Sequence, residues 1–373
     1  MMSERIFSWL ASAVACSLLL AAGCAPLGEK VAKPEVGLEE QMPEAAAEEV
    51  VTPVAEEPAK PEVGLEEQVP EVVAEEAATL ALKFTPQDLT TYRVITETQR
   101  SVKWEGPLLK EPIFKGGRKL SRLEMTFTQQ IQSTDDEGNA IVKITVEELK
   151  YSSLVEDRPV LDFDSSKPKD PNHPLALLIG QGYTIKIAPT GEVTEVIEVK
   201  EARVAVGRGS SVPRTALRLL RSGAIKERHG LLTLPVTEEN RLRTGDNWSD
   251  TKTFSFGEMG SKSYEKIYTM KEIKDVDGRQ IAVVEMNAIP ASEMAEQLYK
   301  EDAASGLSET FDSTGTYTGQ LKLDLTTGKV EKYLEKLETE WIAAFPSAEQ
   351  EDDKEPTVLI MSDTRLYSLE KID

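Results

Sequence analysis

Leu123, Met125, Phe127 and Ile131 alternate along one stretch with Arg122, Glu124, Thr126, Thr128 and Gln130. A two-residue repeat makes a single apolar face only in an extended chain, because successive side chains of a strand point to opposite sides. The same period returns in Val142, Ile144 and Val146, where a parity change to Leu149 and Tyr151 predicts a β-bulge. It recurs in Tyr183, Ile185 and Ile187, and again in Tyr317, Leu321, Leu323 and Leu325. Turn sequences separate such runs: Asp135-Asp136-Glu137-Gly138-Asn139, Pro189-Thr190-Gly191, Asp275-Val276-Asp277-Gly278 and Thr326-Thr327-Gly328. Strand, turn and strand in succession predict antiparallel hairpins. The expected fold is mainly β, a large twisted antiparallel sheet or half-barrel. It is either one domain or two fused halves with a sub-boundary near residue 235.

Two short helices are expected within the sheet. One covers about residues 174–180, with Leu175, Leu177, Leu178 and Ile179. The other covers about 212–222, capped by Ser210 or Ser211 and stopped near Gly223. Residues 330–345 have helix-forming composition, but their place just after Thr327-Gly328-Lys329 favours a strand.

The only cysteines are Cys16 and Cys24, so residues 79–373 contain no disulfide and depend on their core for stability. Cys24 ends the run Leu20-Ala21-Ala22-Gly23-Cys24, which closes an uncharged, mostly apolar stretch from Ile6. This run resembles a bacterial lipobox. The resemblance implies a signal peptide over residues 1–23 and a chain lipidated at Cys24. An uncleaved transmembrane anchor needs about 20 apolar residues, and this stretch is shorter and lacks a basic stop-transfer flank. The implied location is the cell envelope, with the chain exported and lipid-anchored to a membrane. Ala25 after the cysteine points to the outer membrane under the enterobacterial sorting rule.

Residues 25–78 contain 15 Glu, no Asp and three Lys, giving −12 of the chain's net −22. Ala32 to Gln41 recurs unchanged as Ala59 to Gln68, and two copies are too few for a solenoid. High net charge with low aromatic content predicts a disordered acidic tether over residues 24–78, ahead of a β-rich body over 79–373. Its plain role is a spacer; a duplicated docking motif is the alternative.

Gly182 to Val193, Leu234-Pro235, Gly245-Asp246-Asn247-Trp248 and Leu323 to Gly328 follow one another in a recognisable order. This order is similar to that of a family of uncharacterised bacterial lipoproteins with a large β-rich domain of unknown function. The likeness covers most of residues 85–370 and implies a β-rich fold, with no activity. More distantly, a twisted sheet with apolar helices resembles the half-barrels of lipoprotein carriers, which hold acyl chains. That analogy implies a hydrophobic ligand with Leu123, Met125, Phe127, Leu177 and Leu178 as walls. Plain core is the other reading of the same residues.

Catalytic signatures are weak. His173 and His229 are the only histidines, and with no thiol in the body they do not form a zinc-site pattern. No Gly-x-Ser-x-Gly elbow exists, and Ser166-x-x-Lys169 and Ser263-x-x-Lys266 are pairings of two common residue types. Gly207-Arg208-Gly209 lacks the third glycine of a dinucleotide fingerprint, Val212 standing in its place. The acidic clusters at 135–137 and 275–277 read as turns rather than calcium loops. No metal, cofactor or nucleic acid is expected.

Residues 200–228 run against the acidic background, with eight basic residues against Glu201 and Glu227, a net +6. On one helix Arg214, Arg218 and Arg221 would share a face opposite Val212, Ala216, Leu219 and Leu220. That face suits an anionic contact, either membrane headgroups or an acidic segment such as the tether. The leading expectation is thus a membrane-anchored, non-catalytic binding or structural protein, with a lipid or other hydrophobic ligand as its finer version. An envelope interaction module built on the tether and the basic segment is the alternative. A hydrolase ranks third, since no nucleophile, base and metal constellation stands out.

Overall fold

A computed structural model of the protein describes residues 77–106, 114–231, 234–235, 241–291, 311–345 and 356–372. The signal segment, Cys24 and the tether up to residue 76 lie outside the described residues. The described residues form one compact unit. The chain passes through β1 (Leu89–Glu105), β2 (Gly117–Thr134), β3 (Ala140–Val155), β4 (Arg158–Asp164), β5 (Gly182–Ile187) and β6 (Val193–Glu198). Three helices follow, α1 (Lys200–Gly207), α2 (Arg214–Leu219) and α3 (Ser222–His229). The chain then returns through β7 (Asn247–Ser255), β8 (Ser261–Val276), β9 (Arg279–Pro290), β10 (Asp312–Asp324), β11 (Lys329–Phe345) and β12 (Thr357–Lys371).

These strands make one antiparallel sheet in the order β6-β5-β3-β2-β1-β12-β11-β10-β9-β8-β7, with β4 beside the second half of β3. The sheet does not close, which bears out the open, mainly β expectation. It is laid down from its middle. The chain moves from β1 out to β6, crosses through the helices to β7, and works back until β12 pairs with β1. Residue 235 lies in the crossing connection.

The four hairpin turns fall where the sequence places them. Asp135 accepts bonds from the backbone N–H of Glu137 and Asn139 and from the Asn139 side chain, closing β2–β3. Asp277 (φ 54°) and Gly278 (φ 75°) supply the two left-handed residues of a tight β8–β9 turn. The expected bulge is present: Thr126 faces Glu148 while Phe127 faces Val146, leaving Glu147 over. Residues 330–345 are a strand, with Tyr333, Leu337, Trp341 and Ala343 buried on one parity. Two long neighbouring strands override their helix propensity.

The inner face is apolar and the outer face carries cross-strand charge pairs. Tyr92, Phe127 and Val146 form one inner row, and Val94, Met125 and Leu149 the next. On the outer face Arg122 meets Glu97 at 2.8 Å and Lys150 meets Glu124 at 3.2 Å. Such exposed pairs contribute about 0–1 kcal/mol each, so the buried face dominates stability.

The helices differ from expectation. Residues 174–180 contain one 3₁₀ turn, Ala176–Leu178, with the backbone N–H of Leu175 donating to His173 Nδ1 at 3.2 Å. The single helix expected over 212–222 is broken. α2 ends at Leu219, and Arg221 is extended (φ −69°, ψ 143°) before α3 begins. Ala216, Leu219 and Leu220 are buried as expected, but Val212 is exposed and precedes the helix. Neither Ser210 nor Ser211 caps α2; the Ser210 hydroxyl bonds to Asp170 instead.

A strap at the start of the described body ties the two runs of strands together. Ala78 bridges Leu242, the Leu82 N–H donates to Pro189 O at 2.8 Å, and the Lys83 N–H donates to Gly328 O at 3.2 Å. Lys83 Nζ also donates to Leu325 O at 2.6 Å. Leu80 and Leu82 are buried beneath it. Gly328 (φ 66°) permits this approach, since a Cβ there would sit 2.3 Å from the Lys83 nitrogen. Gly278→Ala, left-handed but in open space, should cost about 1 kcal/mol in urea unfolding. Gly328→Ala should cost at least about 2 kcal/mol, because the strap must also shift. Equal losses would mean that the strap does not hold the two runs together.

Candidate functional site

The inner face is covered in two ways. Along β7–β12 the sheet folds over itself: the Phe256 ring lies 4.9 Å from Trp341, and Phe254 lies 5.3 Å from Tyr317. Arg365 Nη2 donates to Ser255 O at 2.7 Å, and its guanidinium stands 4.7 Å from the Phe256 ring. Along β1–β5 the cover is the helical segment. α3 turns Ile225, Arg228 and His229 inward, at spacings that share one helical face.

Four residues fasten this cover. His229 Nε2 is 2.6 Å from the Tyr183 hydroxyl, to which Arg228 Nη1 donates at 3.3 Å. Arg228 Nη2 donates to Leu219 O at 2.9 Å, and the Tyr367 hydroxyl of β12 donates to Arg228 O at 2.8 Å. The His229 ring meets Phe127 edge-on at 4.6 Å. Burial, and then the Arg228 charge, hold the His229 pKa well below its ordinary value. His229 is therefore neutral, and the Tyr183 O–H, already an acceptor for Arg228, donates to its Nε2. Burial raises the Tyr183 pKa in turn, so the hydroxyl keeps its proton.

Beside this fastening lies a cavity of about 40 Å³, lined among others by the apolar Leu82, Phe84, Phe127 and Leu231 and by the polar Asp88, Thr90, Gln129, His229 and Lys329. That is room for on the order of three waters. Ligand pockets for small molecules run to about 300–1,000 Å³.

Leu123, Met125 and Phe127 are buried in the inner face, Leu178 is buried, and Leu177 packs half-buried against the core. Of these only Phe127 reaches the cavity. Arg214 and Arg218 stand exposed on α2, and Arg221 is exposed at the break before α3. The three do not share one helical face, because the helix ends between them. Arg218 Nη2 donates to the Tyr151 hydroxyl at 2.7 Å. Cys24 lies outside the described residues. Ser263 and Lys266, an odd spacing apart on β8, face opposite sides and do not form a Ser-Lys pair.

A second cluster sits inside the folded-over half. Buried Glu335 accepts from Tyr317 at 2.8 Å and from Tyr333, and pairs with Lys252 at 3.1 Å and Lys266 at 3.7 Å. Lys266 also meets Asp250 at 3.2 Å. Burial pushes the Glu335 pKa up, but the two ammonium groups and the two hydroxyl donors outweigh it, and the carboxyl stays below its ordinary value. Three hydrogen-bond donors, Lys252, Tyr317 and Tyr333, and the Lys266 charge satisfy the buried carboxylate. The Tyr268 hydroxyl nearby is buried without a hydrogen bond. Among the described residues no group of three or more His, Cys, Asp or Glu side chains is placed to hold a metal ion.

No family model matches the chain, and no curated protein matches it. The likeness to uncharacterised lipoproteins therefore gains no support from that side. A solved structure concerned with lipid–protein interactions in lipovitellin is similar over 78% of this chain and 26% of that one. The identity is 14% and the TM-score 0.35. The chain thus spans about a quarter of that protein, and a likeness this loose carries no functional argument.

The sequence reading missed the Tyr183–His229–Arg228 group. A signal for half of it was present: Ile225, Arg228 and His229 fall at i, i+3 and i+4.

Because His229 is neutral when folded and takes a proton when unfolded, stability should be complete above about pH 6.5 and fall below it. The slope should reach up to ~1.4 kcal/mol per pH unit between about pH 6.5 and 5, before carboxylates titrate. Urea unfolding of His229→Gln should lose that slope. Glu335→Ala, which leaves buried Lys266 with Asp250 alone and the Tyr317 and Tyr333 hydroxyls without their acceptor, should cost about 3–5 kcal/mol. Glu335→Gln keeps an acceptor and should cost less.

Proposed function

We propose that the chain is an exported envelope lipoprotein, anchored through an acylated Cys24, whose body is a non-catalytic binding module for an apolar ligand such as an acyl chain. The observation that carries this reading is the helical cover. An apolar inner face is closed over β1–β5 by three short helices from one connection, not by a second sheet. Short helices draw most of their stability from packing, so this part of the core is the one that can lift. Its fastening is also local, residing in Tyr183, His229, Arg228 and Tyr367.

With the cover closed the cavity holds only water-sized contents. A ligand enters by moving α3 away from Phe127, which enlarges the space already bounded by Leu82, Phe84 and Leu231. Met125 and Leu123, the next inner residues along β2, then become walls. The Glu335 cluster keeps the folded-over half shut while this happens.

Native mass spectrometry of the full chain, recovered from membranes in mild detergent, tests the reading. It should give a non-covalent acyl lipid in addition to the covalent one, and Cys24→Ala should remove only the covalent mass. Tyr367→Phe, which frees the cover from β12, should speed saturable uptake of a fluorescent fatty acid. A chain that carries no non-covalent lipid and takes up no fatty acid is not a carrier.

A further inference from the structure

The outward surface of the same cover gathers unpaired cations along one connection. On the outer face of the sheet many cations are matched across strands by carboxylates, Arg122 by Glu97 and Lys150 by Glu124 among them. Along α1–α3 they are not. Arg208, Arg214, Arg218, Arg221 and Lys226 are exposed, and among the described residues none is in an ion pair. Where these side chains bond at all, the partner is neutral: Arg218 to the Tyr151 hydroxyl and Lys226 to Thr194 O. Two carboxylates, Glu201 and Glu227, are all that offset the eight basic residues of 200–228, which leaves a net +6.

The same surface exposes apolar side chains. Val204 on α1, Val212 before α2 and Leu217 within α2 are 47%, 71% and 36% exposed. An unpaired basic surface with branched apolar residues set into it matches the interfacial zone of an anionic bilayer. Guanidinium groups bond to lipid phosphates there while the apolar side chains enter the headgroup–acyl boundary. An acidic protein surface would satisfy the charges but gives no reason for Val212 to stand in water.

We propose that the outer surface of α1–α3 docks on an anionic phospholipid bilayer, with Arg208, Arg214 and Arg221 on the phosphates and Val204, Val212 and Leu217 in the boundary region. This assignment is independent of the Cys24 anchor and of any bound ligand. It places the helical cover, rather than either sheet edge, against the membrane.

The test uses the full chain with Cys16→Ser and Cys24→Ser, so that no acyl group forms and a new cysteine is unique. An environment-sensitive fluorophore is placed at Val212→Cys, or at Val276→Cys in the β8–β9 turn as a control. Vesicles of phosphatidylcholine are compared with vesicles that also contain phosphatidylglycerol. The label at 212 should shift to the blue only with phosphatidylglycerol and lose that shift at high salt, while the label at 276 stays unchanged. Replacing Arg208, Arg214 and Arg221 by alanine should abolish the shift and weaken the phosphatidylglycerol-dependent partition on the order of 100-fold. Circular dichroism and the urea midpoint should match the parent, since these side chains hold no other element. Several results would overturn the proposal: an equal shift at both positions, an equal shift on both vesicles, or an undiminished shift in the triple variant. A label at 212 that responds to polyglutamate and not to vesicles would assign the surface to an acidic protein instead.

Discussion

The pairing of β1 with β12 is the seam on which the rest of the structure depends. It runs from Tyr92 opposite Lys371 to Glu105 opposite Val358, pairing residues 253 to 279 apart in sequence. No cysteine is present to secure it. The seam is reinforced by Arg100 on Asp363 at 2.5 Å and by Ser101 on Ser362 at 2.7 Å, and Arg365 on β12 itself gives Asp363 a second cation at 2.8 Å. Charge-assisted bonds to a buried carboxylate are among the stronger polar contacts a protein makes. Both covers rely on this seam. Tyr367, which holds α3, and Arg365, which holds the end of β7, are neighbours on β12.

How much was legible in the sequence follows from the range of each interaction. Strands announce themselves locally, since alternation is a property of a few consecutive residues. The β3 bulge and the four turns could be read that way, whereas β11 was favoured as a strand only by its place after a turn. The helices could not. α1, α2 and α3 are six to eight residues each, too short to be stable alone, and their ends are set by what they pack against. The break at Arg221 has no sequence marker of its own. It lets α3 turn Ile225 and His229 onto the sheet, where a continuous helix would have carried them elsewhere.

Charge in the core divides along the same line. Glu335 shares parity with Tyr333, Leu337 and Trp341, so its inward direction follows from alternation alone. Its cationic partner Lys252 is 83 residues away and visible only once the sheet has folded over. Likewise, the basic character of residues 200–228 was plain in the sequence. Its lack of carboxylate partners and the exposure of Val212 were not, because both depend on which residues the fold brings alongside.

Among the described residues β4, β6 and β7 each pair on one side only, and such edges invite another chain to add on. β6 is short, irregular in register at two points and charged by Glu195 and Glu198, all features that spoil a template. β7 is longer, and its guard is less obvious. Asp250 and Lys252 point from it into the molecule, where Lys266 and Glu335 receive them. A flat strand extending the sheet past β7 would have to place its own side chains beside these committed charges. The ionic cluster thus does more than hold one half of the sheet closed: its inward charges make β7 a poor template for a further strand.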